Sequence, residues 1–250
     1  MAAVLECVGV EKQYKDFVLK PVNFVLEAGY LTGLIGINGA GKTTLINILS
    51  GLDRKFCGDV MLDGISLKRN PSAVKQRVSL VSERITFFLD KTPLENGQIL
   101  GKYFDNWSME EFYVWMDRLE IPKGKQIYQF SKGMKMKFQL CFAMAHRTEF
   151  ILMDEPTAGF DPVFRRDFLR ILQDIMEKGT GILMSTHITG DLDNIADYIL
   201  LLDHGELKIN DTREALEDKV KRETIQGYME KRLHIGELLK RNGDRKNDIL

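Results

Sequence analysis

Apolar positions change their spacing several times along the 250 residues, and each change predicts an element. Over residues 1 to 35 they alternate with polar ones: Val4, Cys7 and Val8, then Val22, Phe24 and Leu26, then Leu31 to Ile35. That pattern predicts short strands joined by turns such as Glu27-Ala28-Gly29. A helix follows over Thr44 to Leu49, with Gly51 placed to end it, and Cys57 to Gly64 reads as a strand closing in an Asp-Gly turn. Val78 to Val81 is a further short strand. Between 86 and 149 the texture changes. Apolar residues recur at helical spacing (Met109, Phe112, Tyr113, Met116, then Phe138, Phe142, Ala145), and Phe87, Phe88, Tyr103, Phe104, Trp107 and Trp115 make the stretch rich in aromatics. It reads as a helical lobe inserted into an α/β core, with about three in four aromatics in the core and the rest available as a docking surface.

Beyond the lobe, Phe150 to Met153 is an apolar run that ends in Asp154 and Glu155. Asp161-Pro162 opens a helix through about Glu177, which Gly179 and Gly181 stop. Ile182 to His187 is another strand, and residues 198 to 209 form a hairpin around His204-Gly205. From Thr212 the chain is helical and highly charged, with Leu216, Val220, Ile225, Met229 and Leu233 as a weak apolar stripe and a frayed tail from Arg241. These elements divide into a domain over 1–215, with the lobe at about 86–149, and an extension over 216–250.

Composition narrows the partners. Charged residues make up 28% but the net charge is only −1, so no electrostatic case for nucleic acid arises. Cys7, Cys57 and Cys141 have no metal-type spacing and read as reduced, buried thiols of a cytosolic protein. Glu6, Glu11 and Lys12 precede any long apolar run, which argues against a signal peptide. The longest apolar runs, such as Tyr198 to Leu202, are far short of a membrane span, so the chain is expected to be soluble by itself.

The candidate chemistry centres on Gly36-Ile37-Asn38-Gly39-Ala40-Gly41-Lys42-Thr43-Thr44, set between a strand and a helix. Glycines there let backbone N–H groups converge on phosphate, Lys42 reaches the outer phosphates, and the Thr43 hydroxyl is a magnesium ligand. Asp154 and Glu155 end a buried strand, where two carboxylates are costly unless a cation or a hydrogen-bond network uses them. Asp154 is placed to hold the magnesium touched by Thr43, and Glu155 to orient or deprotonate water. His187 ends a strand at the same sheet edge, from which it can contact a γ-phosphate. On spacing alone Tyr14 is an ordinary half-exposed tyrosine or a stacking platform for a purine. Glu83 fits a solvated loop as well as a water-mediated magnesium contact, and Ser131 fits a plain helix cap as well as an anion site. His146, His204 and His234 have no comparable setting.

In this order and spacing the residues resemble the nucleotide-binding subunit of ATP-binding-cassette (ABC) transporters, from Val4 to about Ala215. Gly36 to Thr44 resembles Walker A, and Phe150 to Glu155 Walker B with its adjoining glutamate. Phe130 to Met134 is similar to the LSGGQ-type signature, and Ala158 to Asp161 to the D-loop. Ser185-Thr186-His187 resembles the switch-histidine segment, Tyr14 the A-loop aromatic and Glu83 the Q-loop position. The resemblance implies an α/β P-loop core with an antiparallel β part and an inserted α-helical subdomain, binding ATP and Mg2+. It implies nucleotide contacts from Tyr14, Asn38, Gly39, Ala40, Gly41, Lys42, Thr43, Thr44 and Asp161. Across a dimer of identical or related subunits, Ser131 and Gly133 would face the partner's γ-phosphate. Thr43, Asp154 and Glu83 would place magnesium, Glu155 would activate water, and His187 would sense the γ-phosphate.

Two departures from the pattern matter: the signature is Phe-Ser-Lys-Gly-Met, and Glu83 stands where the Q-loop has glutamine. Lys132 would add charge to the contact with the partner's nucleotide. The Ser-Lys-Gly-Met form resembles bacterial ABC-2-type exporter ATPases, including those similar to antimicrobial-peptide and phenol-soluble-modulin exporters. The implied partner is a separate membrane-spanning subunit, docked in the groove between core and lobe near Glu83 to Phe88 and the aromatics through Trp107, at the inner face of the cell membrane. A soluble ABC ATPase acting on DNA or ribosomes is the competing class. It usually carries a coiled-coil insertion, a tandem cassette or basic extensions, none of which is present. A regulatory or sensing complex built on the same engine stays open.

Overall fold

The apolar runs near 31–35, 150–153, 182–186 and 198–202 all become strands of one sheet in the computed structural model, which describes residues 2–84, 86–187, 189–193 and 195–220. The strands are β3 (Leu31–Ile35), β6 (Val78–Val81), β7 (Phe150–Asp154), β8 (Gly181–Thr186), β9 (Tyr198–Asp203) and β10 (Glu206–Thr212), in the spatial order β10-β9-β3-β8-β7-β6. The four pairings from β9 to β6 are parallel and β10 runs antiparallel to β9. Strands buried on both faces need apolar residues at every position. The side chains sort accordingly. Ile151, Met153, Ile182, Met184, Ile199 and Leu201 face one core, and Phe150, Leu152, Leu183, Leu200 and Leu202 face another.

The second core is closed by an antiparallel sheet, β2-β1-β4-β5, made of β1 (Val4–Gln13), β2 (Val18–Glu27), β4 (Cys57–Leu62) and β5 (Ile65–Ser66). Its apolar alternation places Leu5, Val10, Leu19, Val22 and Leu26 inward, against α1 (Lys42–Leu49). β1 and β2 run ten residues each, longer than the short strands expected. A register shift between Cys7 and Val10, with Gly9 at φ 57°, lets β1 continue past the point where its alternation breaks.

The first core is closed by α4 (Met109–Arg118), α5 (Lys132–Ala145) and α6 (Pro162–Glu177). Each starts at a side-chain cap: Ser108 accepts from Glu111 N–H, Ser131 from Met134 N–H, and Asp161 from both Val163 and Phe164 N–H. Each such cap contributes about 1 kcal/mol. Thr92 and Glu95 form a reciprocal capping box on α3 (Pro93–Leu100). α5 is buried without a break from Phe138 to Ala145, which makes it the helix that joins lobe to core. A short α2 (Pro71–Lys75) precedes β6, and α7 (Arg213–Val220) follows β10. The apolar stripe expected at Ile225, Met229 and Leu233 lies outside the described residues.

Two expectations need correction. Cys7 and Cys141 are buried, and burial pushes the Cys7 thiol up to about 12, but Cys57 is exposed because it opens β4 at the sheet's end. Of the lobe aromatics, Phe112 and Trp115 are buried and Phe87, Phe104 and Trp107 pack against them. Phe88, Tyr103 and Tyr113 are exposed, a larger outward share than expected.

Candidate functional site

β3 ends at Ile35, and the loop that follows must turn tightly into α1 while touching β9 and Phe17, the residue before β2. Glycine is required at two points. A Cβ on Gly36 would lie 2.4 Å from the Leu202 carbonyl, and Gly41 sits at φ 109° with its Cα face against the Phe17 ring. The loop thereby exposes its N–H groups at the start of α1, a ready anion site. Lys42 folds back over it, only 6% exposed, donating to the Gly36 carbonyl at 2.7 Å and lying 3.3 Å from Glu155 Oε1. Together these residues open onto a cleft of about 870 Å³, lined also by Asn38, Gly39, Ala40, Thr43 and Thr44.

The opposite wall comes from neighbouring strand ends, where open parallel sheets bind ligands. Asp154 is the last residue of β7 and pairs in register with Ser185 of β8. Thr43 Oγ1 donates to Asp154 Oδ2 at 2.8 Å and Ser185 Oγ donates to Asp154 Oδ1 at 2.9 Å. Ser185 also accepts the Glu155 N–H at 3.0 Å. Glu155 occupies φ 49°, a left-handed conformation that costs a non-glycine residue about 1–3 kcal/mol. Its carboxylate bridges Lys42 on one oxygen and His187 Nδ1, 2.7 Å away, on the other. The chain Lys42–Glu155–His187 thus spans the cleft. Thr43 and Asp154 bring a hydroxyl and a carboxylate into contact beside it, hard oxygen donors of the kind magnesium takes together with water and phosphate.

The cleft gathers Asn38 to Thr44, Glu83, Asp154, Glu155 and His187. It does not gather Tyr14, Ser131, Gly133 or Asp161. Tyr14 turns away, its hydroxyl 3.2 Å from Asp53 and its ring beside Lys12. Desolvation would raise the Asp53 carboxyl, yet Lys12 and the Lys55 N–H hold it below its usual range. Phe17, three residues on, lines the cleft instead. Ser131 and Asp161 cap α5 and α6, and Gly133 packs on Phe164 with no room for a Cβ. Sequence reasoning missed Phe17 and, although it named Ser185 within the switch-histidine segment, gave it no role of its own. Strand pairing alone identifies Ser185, because it sits opposite Asp154.

A second concavity, of about 390 Å³, lies between β6 and the lobe, lined by Phe87, Leu100, Tyr103, Phe104, Phe142 and His146 among others. Trp107, expected there, instead packs inward on Phe112 and Phe142. His146 stacks on Phe104 with centroids 4.1 Å apart and bonds Ser79 Oγ; its desolvation lowers it from 6.5 to about 4, so it is neutral at pH 7. No described helix is long and apolar enough to cross a membrane.

Comparison with known proteins gives this geometry its context. The family described as ABC transporter matches residues 19–158. The ABC transporter ATP-binding protein YtrB of Bacillus subtilis is 32% identical over 82% of this chain and 70% of its own length. The linearmycin resistance ATP-binding protein LnrL of the same organism is 30% identical over 89% of this chain and 73% of its own. A solved ATP-binding subunit of an ABC transporter superposes with a TM-score of 0.80 at 26% identity, covering 91% of this chain and 98% of that one. The chain therefore belongs to the ABC transporter family, as one of its ATP-binding, ATP-hydrolysing subunits, which dimerise and work with membrane subunits.

Proposed function

We propose that this subunit hydrolyses ATP between two nucleotide-binding subunits to drive export through a separate membrane protein, from the inner face of the cell membrane. The observation that carries the catalytic reading is the Lys42–Glu155–His187 bridge across the cleft beside the Thr43–Asp154 contact. Loop N–H groups and Lys42 bind the phosphates. Thr43 and Asp154, with Glu83 through water, hold Mg2+, which when bound neutralises charge on the transferring phosphoryl group. Glu155 takes the proton of the attacking water once Lys42 turns to the phosphates, and His187, bonded to Glu155, fixes its carboxylate and meets the γ-phosphate. Ser131, Gly133 and Asp161 lie outside their own chain's cleft, which supports a reading in which they serve the nucleotide of the facing subunit. The resistance role in the name of LnrL supports export, and the aromatic groove beside β6 is the dock for the membrane subunit.

Glu155→Gln tests the reading. The variant should bind ATP, lose at least about a hundredfold in turnover and accumulate as an ATP-dependent dimer that co-purifies with a multi-span membrane protein. Turnover equal to wild type removes Glu155 from its role. Recovery of ribosomes or DNA-bound proteins with no membrane subunit replaces transport by a soluble ATPase function.

A further inference from the structure

The loop after β6 is fastened to α5 at two consecutive residues, by contacts of opposite character. Inside, Gln139 and Ser82 bond reciprocally: the Ser82 N–H donates to Gln139 Oε1 at 3.1 Å, and Gln139 Nε2 donates to the Ser82 carbonyl at 2.9 Å, both buried. One residue further, Glu83 forms an ion pair with Lys132 in the open, the two side chains 63% and 36% exposed. Lys132 and Gln139 are two helical turns apart and share a face of α5. The arrangement is an inner hinge with an outer clasp.

Lys132 is the first residue of α5, where a cation opposes the helix dipole, and the first turn carries no acid of its own. Glu83 offsets that charge from across the gap. Glu83 also lines the nucleotide cleft, as Thr43 and Asp154 do. While it is paired with Lys132, the Glu83 carboxylate has part of its charge neutralised and offers less to a hydrated divalent cation in the cleft.

We infer that Lys132 is a positioning residue that competes with the nucleotide-bound cation for Glu83, so that filling the cleft releases the clasp while the Gln139–Ser82 hinge holds. The N-terminal turn of α5 is then free to move against the cleft rim when, and only when, cation and nucleotide are both present. This rests on the proposed place of Glu83 near Mg2+. An exposed pair supplies at most about a fivefold bias, light enough for a divalent cation to break.

The test measures mant-ADP affinity by fluorescence, with Mg2+ and with EDTA, at low salt. The ratio of the two dissociation constants reports how strongly cation and nucleotide help each other. Lys132→Met should raise that ratio about fivefold, Lys132→Arg should leave it near wild type, and Lys132→Met should have no effect in a Glu83→Gln background. Amide exchange over residues 133–136 should rise on adding Mg2+ and nucleotide to the wild type, and be raised already in Lys132→Met. An unchanged ratio in Lys132→Met, or an equal shift without the Glu83 carboxylate, overturns the clasp. If Glu83→Gln alone leaves the ratio unchanged while Lys42→Ala abolishes binding, the cleft reading stands and the place of Glu83 beside the cation falls, taking the clasp with it.

Discussion

At the scale of single residues, the site holds its carboxylates in place against their own preferences. Glu155 sits in a left-handed conformation, and what holds it is the buried Ser185 hydroxyl, which accepts a hydrogen bond from its N–H and donates one to Asp154. Ser185→Ala should therefore cost about 1–2 kcal/mol in stability by urea denaturation. It should also slow hydrolysis by about ten- to a hundredfold, the scale seen when a ligand's supporting bond is lost. Loss of stability with undiminished turnover would make Ser185 merely structural. Lys42, Thr43, Asp154 and Glu155 were legible in the sequence because a glycine-rich loop and a strand end fix where they go. Ser185 was not, since a hydroxyl inside an apolar run declares nothing until its partner strand is known. Tyr14 and Phe17 show the same limit. Both lie between β1 and β2, and only the fold decides which ring faces the cleft.

His146 carries a second residue-scale consequence. Its folded value of about 4 lies below the ordinary 6.5, so the unfolded chain binds a proton that the folded chain refuses. Stability from this group is fully present above pH 6.5 and is lost as pH falls toward 4, by about 3 kcal/mol in all. Between pH 7 and 4.5, His146→Gln should lose correspondingly less stability than wild type in urea titrations. Parallel losses would place the acid sensitivity elsewhere.

At the scale of elements, two hairpin turns give a controlled comparison. Asp63-Gly64 and His204-Gly205 share one backbone geometry, φ 47° and 77° against 46° and 74°. A Cβ on Gly64 meets nothing within 4 Å, whereas one on Gly205 would lie 1.9 Å from the Val18 carbonyl. Gly64→Ala should cost about 1 kcal/mol for the conformation alone, and Gly205→Ala a further 1–3 kcal/mol, roughly, for the clash. Gly205 also donates to the Ala40 carbonyl in the phosphate loop, so its variant alone should weaken nucleotide binding. Equal denaturation midpoints for the two variants would show that the Val18 contact relaxes freely. Both turns were readable from Asp-Gly and His-Gly, and the helix over Pro162–Glu177 from its proline and its stopping glycine. What Gly205 touches was not readable, because Val18 of β2 lies 187 residues away in the chain.

At the scale of the whole molecule, the parallel sheet separates two cores, one shared with the antiparallel sheet and one with the lobe, and α5 joins the lobe to the cleft rim through Gln139. The aromatic density between 86 and 149 announced a lobe, but helical spacing alone does not say which rings turn outward once α4 and α5 pack. Tyr103 is 74% exposed at the groove, while Phe104 beside it is committed to His146 and Phe142. A substitution at Tyr103 therefore alters the surface and leaves the core alone. If the membrane subunit seats in this groove, Tyr103→Glu should reduce its co-purification with the Glu155→Gln background by at least about tenfold, the loss typical of a buried aromatic anchor at an interface. ATP affinity and thermal stability of the isolated subunit should stay within error of the parent. Undiminished co-purification would move the dock off this groove. Loss of ATP binding along with the partner would instead mean that the groove and the cleft cannot be altered independently.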